Sequence, residues 1–268
     1  MQAAEFDEMA ATYDEDFTHT LVGSYQRQQV WHYLDNNLPN IPLKVLELNC
    51  GTGEDALWMA KKGHQVHATD ISSQMVSVAQ HKLEEAGFGH KASSEVLAIA
   101  PDALTTLPGQ YDIIFSNFGG WNCLSPQEIQ AVAKPLAARV APGGRMLAVI
   151  MPDRCTWEML YFFSRGRWSD ARRRVRRYSQ FTPPGRDPMD IYYFRPKQFA
   201  QAFSPYFKLR KIQGVGLWVP PSYLNQHLKS FPKALAWAQR RDLAGATKRW
   251  PRWADHCVVD VERTDVEV

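Results

Sequence analysis

Val45-Leu46-Glu47-Leu48-Asn49-Cys50-Gly51-Thr52-Gly53-Glu54-Asp55 is an apolar run that enters a short glycine turn and leaves as a helix. Glycine lacks a Cβ and reaches positive φ without steric cost, so Gly51 and Gly53 let backbone approach a ligand closely. A turn of this kind also serves purely structural ends. Asp70 changes the balance. It closes the next β-rich run, 17 residues after Gly53, where a carboxylate can accept both hydroxyl hydrogens of a ribose lying across the first turn. Turn and acid together point to a nucleoside cofactor. Gly51, Gly53 and Ala56 also align to the GxGxxG/A of dinucleotide-binding folds, which keeps a nicotinamide cofactor as a rival. Glu47 separates the two, because a buried carboxylate just before the turn suits a cationic ligand and repels a pyrophosphate.

The stretch VLELNCGTGEDALWMAKKGHQVHATDISSQM resembles motifs I and II of class I S-adenosylmethionine-dependent methyltransferases, whose usual opening is E/D-x-G-x-G-x-G. The resemblance covers roughly the first 150 residues and is loose beyond them. It implies that Glu47 orients the methionine end of the cofactor, that the Gly51 and Gly53 turn underlies it, and that Asp70 binds the ribose, with Ile71 and Met75 beside it. Pro101-Asp102-Ala103-Leu104 is similar to the family's motif after strand three, which assigns Asp102 and Ala103 to the adenine. FDEMAATYDEDF is similar to the amino-terminal segment that closes over cofactor and substrate, and puts Tyr13 in contact with both. Asn49 departs from the family at the first glycine position. Asparagine tolerates left-handed backbone better than other side chains, so the turn can survive the exchange.

Ligands of open α/β sheets sit beyond the carboxyl ends of the strands, so Ser116-Asn117-Phe118-Gly119-Gly120-Trp121-Asn122 should line the reaction space. Asn117 and Phe118 are expected at the cofactor, Trp121 and Asn122 at the acceptor. Methyl transfer needs alignment and an apolar shell more than a dedicated catalytic residue. If the acceptor is a hydroxyl, His19, His227 and His256 are the candidate bases, although spacing brings none of them to the methyl group. Later aromatics, Tyr192 and Trp218 among them, could enclose a flat or apolar acceptor. Arg165, Arg167, Arg172, Arg173, Arg174, Arg176 and Arg177 form a basic run that would bind an anionic acceptor, track a phosphate backbone or coat a solvated helix. The Asn/Asp-Pro-Pro-Tyr/Phe sequence of base amino methylation is absent after strand four, which disfavours nucleic acid without removing it.

These residues need a scaffold. Val45–Leu48, Gln65–Thr69, Glu95–Ala98, Tyr111–Ser116 and Arg145–Met151 read as strands, alternating with helical spacing over Asp55–Lys62, Ser73–Ala86 and Pro126–Val140. Ala141-Pro142-Gly143-Gly144 is expected to stop the last helix in a turn. A late pair, Phe207–Val215 and Cys257–Glu262, returns to the sheet. The expected fold is α/β: a doubly wound, mostly parallel seven-stranded Rossmann-like sheet with a helical, aromatic-rich cap. It would be a single domain over 1–268, with a helical lid over 1–42 and a cofactor core over 43–151. Cap insertions would occupy 152–206 and 219–255, and returning strands 207–218 and 256–263.

Composition agrees with a globular chain. Its 268 residues are 45% hydrophobic and 22% charged, with 31 basic and 28 acidic residues giving a net charge of only +3, too little to imply a polyanionic partner by itself. Cys50, Cys123, Cys155 and Cys257 make no CxxC pair, so neither a zinc site nor a disulfide framework is expected, and no metal. The acidic amino terminus and the lack of a long apolar run give the expectation of a cytoplasmic protein without a membrane partner. The reading is an enzyme that transfers the methyl group of S-adenosylmethionine to a small-molecule acceptor, anionic or aromatic. Its alternatives are a nucleic-acid methyltransferase and a non-catalytic cofactor-binding protein.

Overall fold

The computed structural model describes residues 2–182, 188–228 and 230–267. Seven strands form one sheet: β1 (Lys44–Leu48), β2 (Gln65–Asp70), β3 (Ala92–Val96), β4 (Tyr111–Ser116), β5 (Val140–Ile150), β8 (Phe207–Val215) and β9 (His256–Arg263). Their order is β3-β2-β1-β4-β5-β9-β8, the first five being parallel and β9 antiparallel to both its neighbours. The chain reverses direction across the sheet between β3 and β4, so the carboxyl ends of β1 and β4 flank the switch point where such folds bind ligands.

Helices cover both faces. On one, α2 (Leu21–Asn37), α3 (Glu54–Lys61) and α4 (Ser73–Glu85) pack on Val45, Ile113, Phe115, Leu147 and Val149. On the other, α5 (Pro101–Thr106), α6 (Pro126–Arg139) and α9 (Pro196–Gln201) pack on Leu46, Leu48, Ile114, Met146 and Ala148. The alternation along β1 is the period of two of a pleated strand buried on both sides. It sends the Glu47 side chain to the same layer as Val45, beneath α2 and α3. Local signals set the helix starts. Ser72 caps α4 by accepting from Met75 N, and Ser125 with Glu128 makes a capping box for α6, where Pro126 fills the first helical position. Before α2, helix α1 (Gln2–Met9) and a π-helical turn (Asp14–Thr18) cross the carboxyl end of the sheet.

Three expectations need correction. The third strand is Ala92–Val96 and not Glu95–Ala98. It is an edge strand, polar in three of its five positions (Ser93, Ser94, Glu95), so its sequence lacks the apolar run that marks inner strands. Ala141–Gly144 is no free turn: Val140 already pairs with Tyr111, and the register shifts before Arg145 meets Ile113. The glycines serve an irregular entry into β5, and α6 has ended at Arg139. The cap is also not purely helical. After β5 come α7 (Thr156–Ser164), α8 (Trp168–Ala171) and a 3-10 turn, then an antiparallel ribbon of β6 (Tyr178–Phe181) and β7 (Met189–Tyr192). The second insertion is helical, with α10 (Asn225–Leu228) and α11 (Pro232–Leu243), whose Leu235 and Ala238 pack on Val22 of α2.

Candidate active site

Asn49, Gly51 and Gly53 have φ of 49°, 54° and 76°. Three left-handed residues within five positions fold the chain back sharply between β1 and α3. Asp70, at the end of β2, ties that turn down: one carboxylate oxygen accepts from Gly51 N at 2.9 Å and the other from Ser72 N at 2.9 Å. Burial raises the Asp70 carboxyl above its usual range, and these backbone donors oppose the shift. A Cβ on Gly51 would meet only Tyr13, at 4.0 Å, whereas one on Gly53 would collide with Ala79 of α4. Gly51 therefore faces open space. Gly53 allows α3 to lie close against α4 and does not line that space.

That open space is a cavity of about 420 Å³. Among the expected cofactor residues, Tyr13, Asn49, Gly51, Asp70, Ile71, Met75, Asn117 and Phe118 line it. Glu47, Gly53, Asp102 and Ala103 do not. Asp102 is exposed and Ala103 half-buried at the start of α5, and the Leu97–Ala100 segment forms that side of the cavity instead. Glu47 is buried, with one carboxylate oxygen lacking any partner. Desolvation first, and then the charge of Asp55, push its carboxyl well up, against the pull of Arg27.

Arg27 carries no motif and Asp55 only closes the glycine-turn stretch, and sequence reasoning gave neither a role. Arg27 comes from α2, is buried in the cavity wall and ion-pairs with Asp55, while its Nε has no partner. Asp55 also accepts from Trp31 Nε1 at 2.6 Å and Asn117 Nδ2 at 2.9 Å. The only available signal was an arginine inside a helix-forming stretch with an acid in the next helix's first turn, a pattern met on many solvated surfaces. Beside them Phe118, with φ of 40°, sits edge-on to Phe17 and to His256, both at 5.2 Å. A bulky side chain at positive φ is strained, and strain of this kind gathers at functional sites.

The side chain of Asn49 shows how the turn survives without its first glycine. Its oxygen accepts from Ser116 Oγ at 2.6 Å and its amide donates to Asn117 O at 2.9 Å, bridging the ends of β1 and β4. Any Cβ on Gly120 would overlap that amide. Asn49 thus fills a space that Gly120 leaves.

The acceptor residues expected from sequence are not brought together. Trp121 is fully buried in the core, edge-on to Phe199 and Phe203. Asn122 is buried and structural, bound to Met151 and Tyr192 backbone. Tyr192 packs against Tyr178 on the ribbon, and Trp218 packs on Trp237 away from the cavity. Turn position cannot distinguish a core tryptophan from one facing a ligand. Of the histidines, His19 is exposed and off the cavity. His256 stands behind Phe118 with Nδ1 3.2 Å from Asp255, and the side chain of His227 lies outside the described residues. The arginine run does not form one helix face. Arg173 binds both oxygens of Glu158, and buried Arg174 joins Glu158 to Asp255.

Residues 45–144 match the family described as "Methyltransferase domain". Residues 45–144 thus form a methyltransferase domain, and the cofactor of that family is S-adenosylmethionine. Among curated relatives, the tRNA 5-carboxymethoxyuridine methyltransferase of Escherichia coli is 32% identical over 105 residues, 36% of this chain and 40% of that protein. The magnesium-protoporphyrin O-methyltransferase of Synechocystis is 33% identical over 85 residues, 31% of this chain and 34% of the relative. The chain thus matches well under half the length of these relatives. The solved Synechocystis magnesium protoporphyrin IX methyltransferase superposes with a TM-score of 0.55 at 16% identity, covering 94% of this chain and 87% of that one. The [4+2]-cyclase SpnF shares the fold at a TM-score of 0.55, 13% identity and coverage of 88% and 80%, so this fold is not confined to methylation. The methyltransferase domain holds the glycine turn, Asp70 and the ends of β1 and β4, while the Arg27 helix and the ribbon lie outside the matched residues.

Proposed function

We propose that this protein transfers the methyl group of S-adenosylmethionine to a small-molecule acceptor. The observation that carries the reading is the charge around the glycine turn. Glu54 and Asp55 fill the first turn of α3, where a dinucleotide fold leaves the helix amino terminus open for pyrophosphate. Glu47, Asp55 and Asp70 are buried there, with Arg27 as the buried cation beside them. Such an excess of carboxylate suits a ligand bearing ammonium and sulfonium charge and opposes a phosphate. The open space over Gly51 is what such a ligand would fill.

In this reading Asp70 accepts from the ribose hydroxyls, the Gly51 backbone underlies the ligand, and Ile71 with Leu97–Ala100 flanks the base. Arg27, in the cavity wall, faces its amino-acid end, the guanidinium toward carboxylate, while Glu47 stays buried behind the lining. When bound, the cofactor supplies an electrophilic methyl on sulfur. The chain contributes alignment and an enclosed, largely apolar space. Neither His19 nor His256 lines the cavity, so no histidine is assigned as base.

The nucleic-acid alternative draws on the tRNA-modifying relative and the basic run, but Arg173 and Arg174 are spent on internal carboxylates. The non-catalytic alternative rested on Asn49, whose fit against Gly120 removes its motive. No helix of the described residues is long and apolar enough to cross a membrane. Incubation with S-adenosylmethionine labelled in its methyl group tests the reading. Label should pass to small hydroxylated or amino compounds and not to bulk tRNA, and labelling of tRNA alone would overturn the choice of acceptor.

A further inference from the structure

The cavity extends past the carboxyl ends of β1 and β2 into a wall built mostly from parts outside the matched domain. Met189 and Ile191 alternate along β7 onto one face and, with Tyr193, join Met151, Cys123 and Phe6 of α1 in a single apolar cluster. All of these except Tyr193 line the same cavity as Gly51 and Asp70. From this wall we infer that the methyl acceptor is an uncharged molecule with a flat or extended apolar body, bound against Met151, Met189 and Ile191. The inference rests on the methyl-transfer reading above and adds the class of acceptor to it.

The wall is built and not incidental. Asn122 accepts from Met151 N at 2.8 Å and donates to Met151 O at 3.1 Å and Tyr192 O, pinning the ribbon to the end of β5. Pro152 pairs with Phe194 just beyond, and Asp153 N donates to Phe194 O at 3.0 Å. A fixed apolar surface with two thioethers suits a planar ring, since methionine sulfur is polarizable and packs well on aromatic edges. Charge is partitioned across the cavity. Arg27, Glu54, Asp55 and Asp70 belong to the glycine-turn end, and Glu128, the remaining carboxylate in the lining, accepts from Ser125 N at 2.7 Å as part of the α6 cap. An acceptor with its own charge or many polar groups would leave them unpaired against this wall. Among the described residues, none of those that form this wall carries a cation for the phosphates of a polynucleotide.

N-Phenyl-1-naphthylamine, a neutral flat fluorophore that brightens in apolar surroundings, tests the site without knowledge of the natural acceptor. With S-adenosylhomocysteine at saturation, so that the nucleoside end is occupied, the probe should bind saturably at one site. Ile191→Asp should weaken the probe at least tenfold while the affinity for S-adenosylhomocysteine stays unchanged. Met189→Gln, a milder change that keeps the ribbon uncharged, should weaken it severalfold and serves if the aspartate variant does not fold. Absence of saturable binding, equal binding to wild type and Met189→Gln, or displacement of the probe by tRNA would each overturn the inference. Failure of S-adenosylhomocysteine itself to bind would instead remove the methyl-transfer reading, so the two claims fail separately.

Discussion

Asn49 and Gly120 divide a space that two ordinary side chains could not share, and a pair of substitutions can test the division. Gly120→Ala would drive a methyl group into an amide held by Ser116 and Asn117, and should cost about 1–3 kcal/mol as overpacking does. Asn49→Gly removes the obstacle, so the double variant should be no less stable than Asn49→Gly alone in urea unfolding; simple additivity would contradict the account. Asp70→Ala should weaken S-adenosylhomocysteine by about 1–3 kcal/mol, the range for losing charge-assisted hydrogen bonds, and calorimetry would read it directly. That Gly51 and Asp70 meet at one cavity was legible in the sequence, because a glycine turn and an acid ending consecutive parallel strands lie side by side. Trp121 and Gly53 were misplaced because a residue's type does not say which side of a turn it faces. Arg27 was invisible because burying an arginine takes a tertiary partner, here Asp55, 28 positions away.

At the scale of elements, alternation and capping marked the central strands and helices. They failed where structure depends on contacts between distant segments: an edge strand with little apolar pattern, and a cap held together by ions. Arg174 is buried between Glu158 and Asp255, so Arg174→Met should take from the buried Asp255 its arginine and leave Glu158 to Arg173 alone, and cost about 3–5 kcal/mol. Arg172→Gln with Arg176→Gln, on exposed positions of the same run, should stay within about 0.5 kcal/mol. Equal effects in denaturant titrations would restore the reading of the run as one solvated face. The α11 contact makes a pH-dependent prediction. Burial pushes the Asp242 carboxyl up to about 6, although it accepts from Trp218 N at 3.0 Å and Val219 N at 2.9 Å. Its folded value lies above the unfolded one, so the stability it contributes is complete below a pH of about 4 and is lost as pH rises through about 6. Between those limits Asp242→Asn should gain about 3 kcal/mol relative to the wild type, and a difference independent of pH would contradict that assignment.

Across the whole molecule, the amino-terminal helices and the first cap insertion converge on the carboxyl ends of β1, β2 and β4, and the cavity they complete is charged at one end and apolar at the other. In the proposed reading the charged end holds the cofactor and the apolar end the acceptor, and the charge favours a sulfonium nucleoside over a dinucleotide. The measurement that tests it most directly is thermal unfolding with S-adenosylhomocysteine and, separately, with NADH. A ligand that binds the native state alone at a hundred times its dissociation constant stabilises by about 2.7 kcal/mol. S-Adenosylhomocysteine should therefore raise the melting temperature in proportion to the logarithm of its concentration, and NADH should leave it unchanged. A rise with NADH and none with S-adenosylhomocysteine would contradict the assignment of the site.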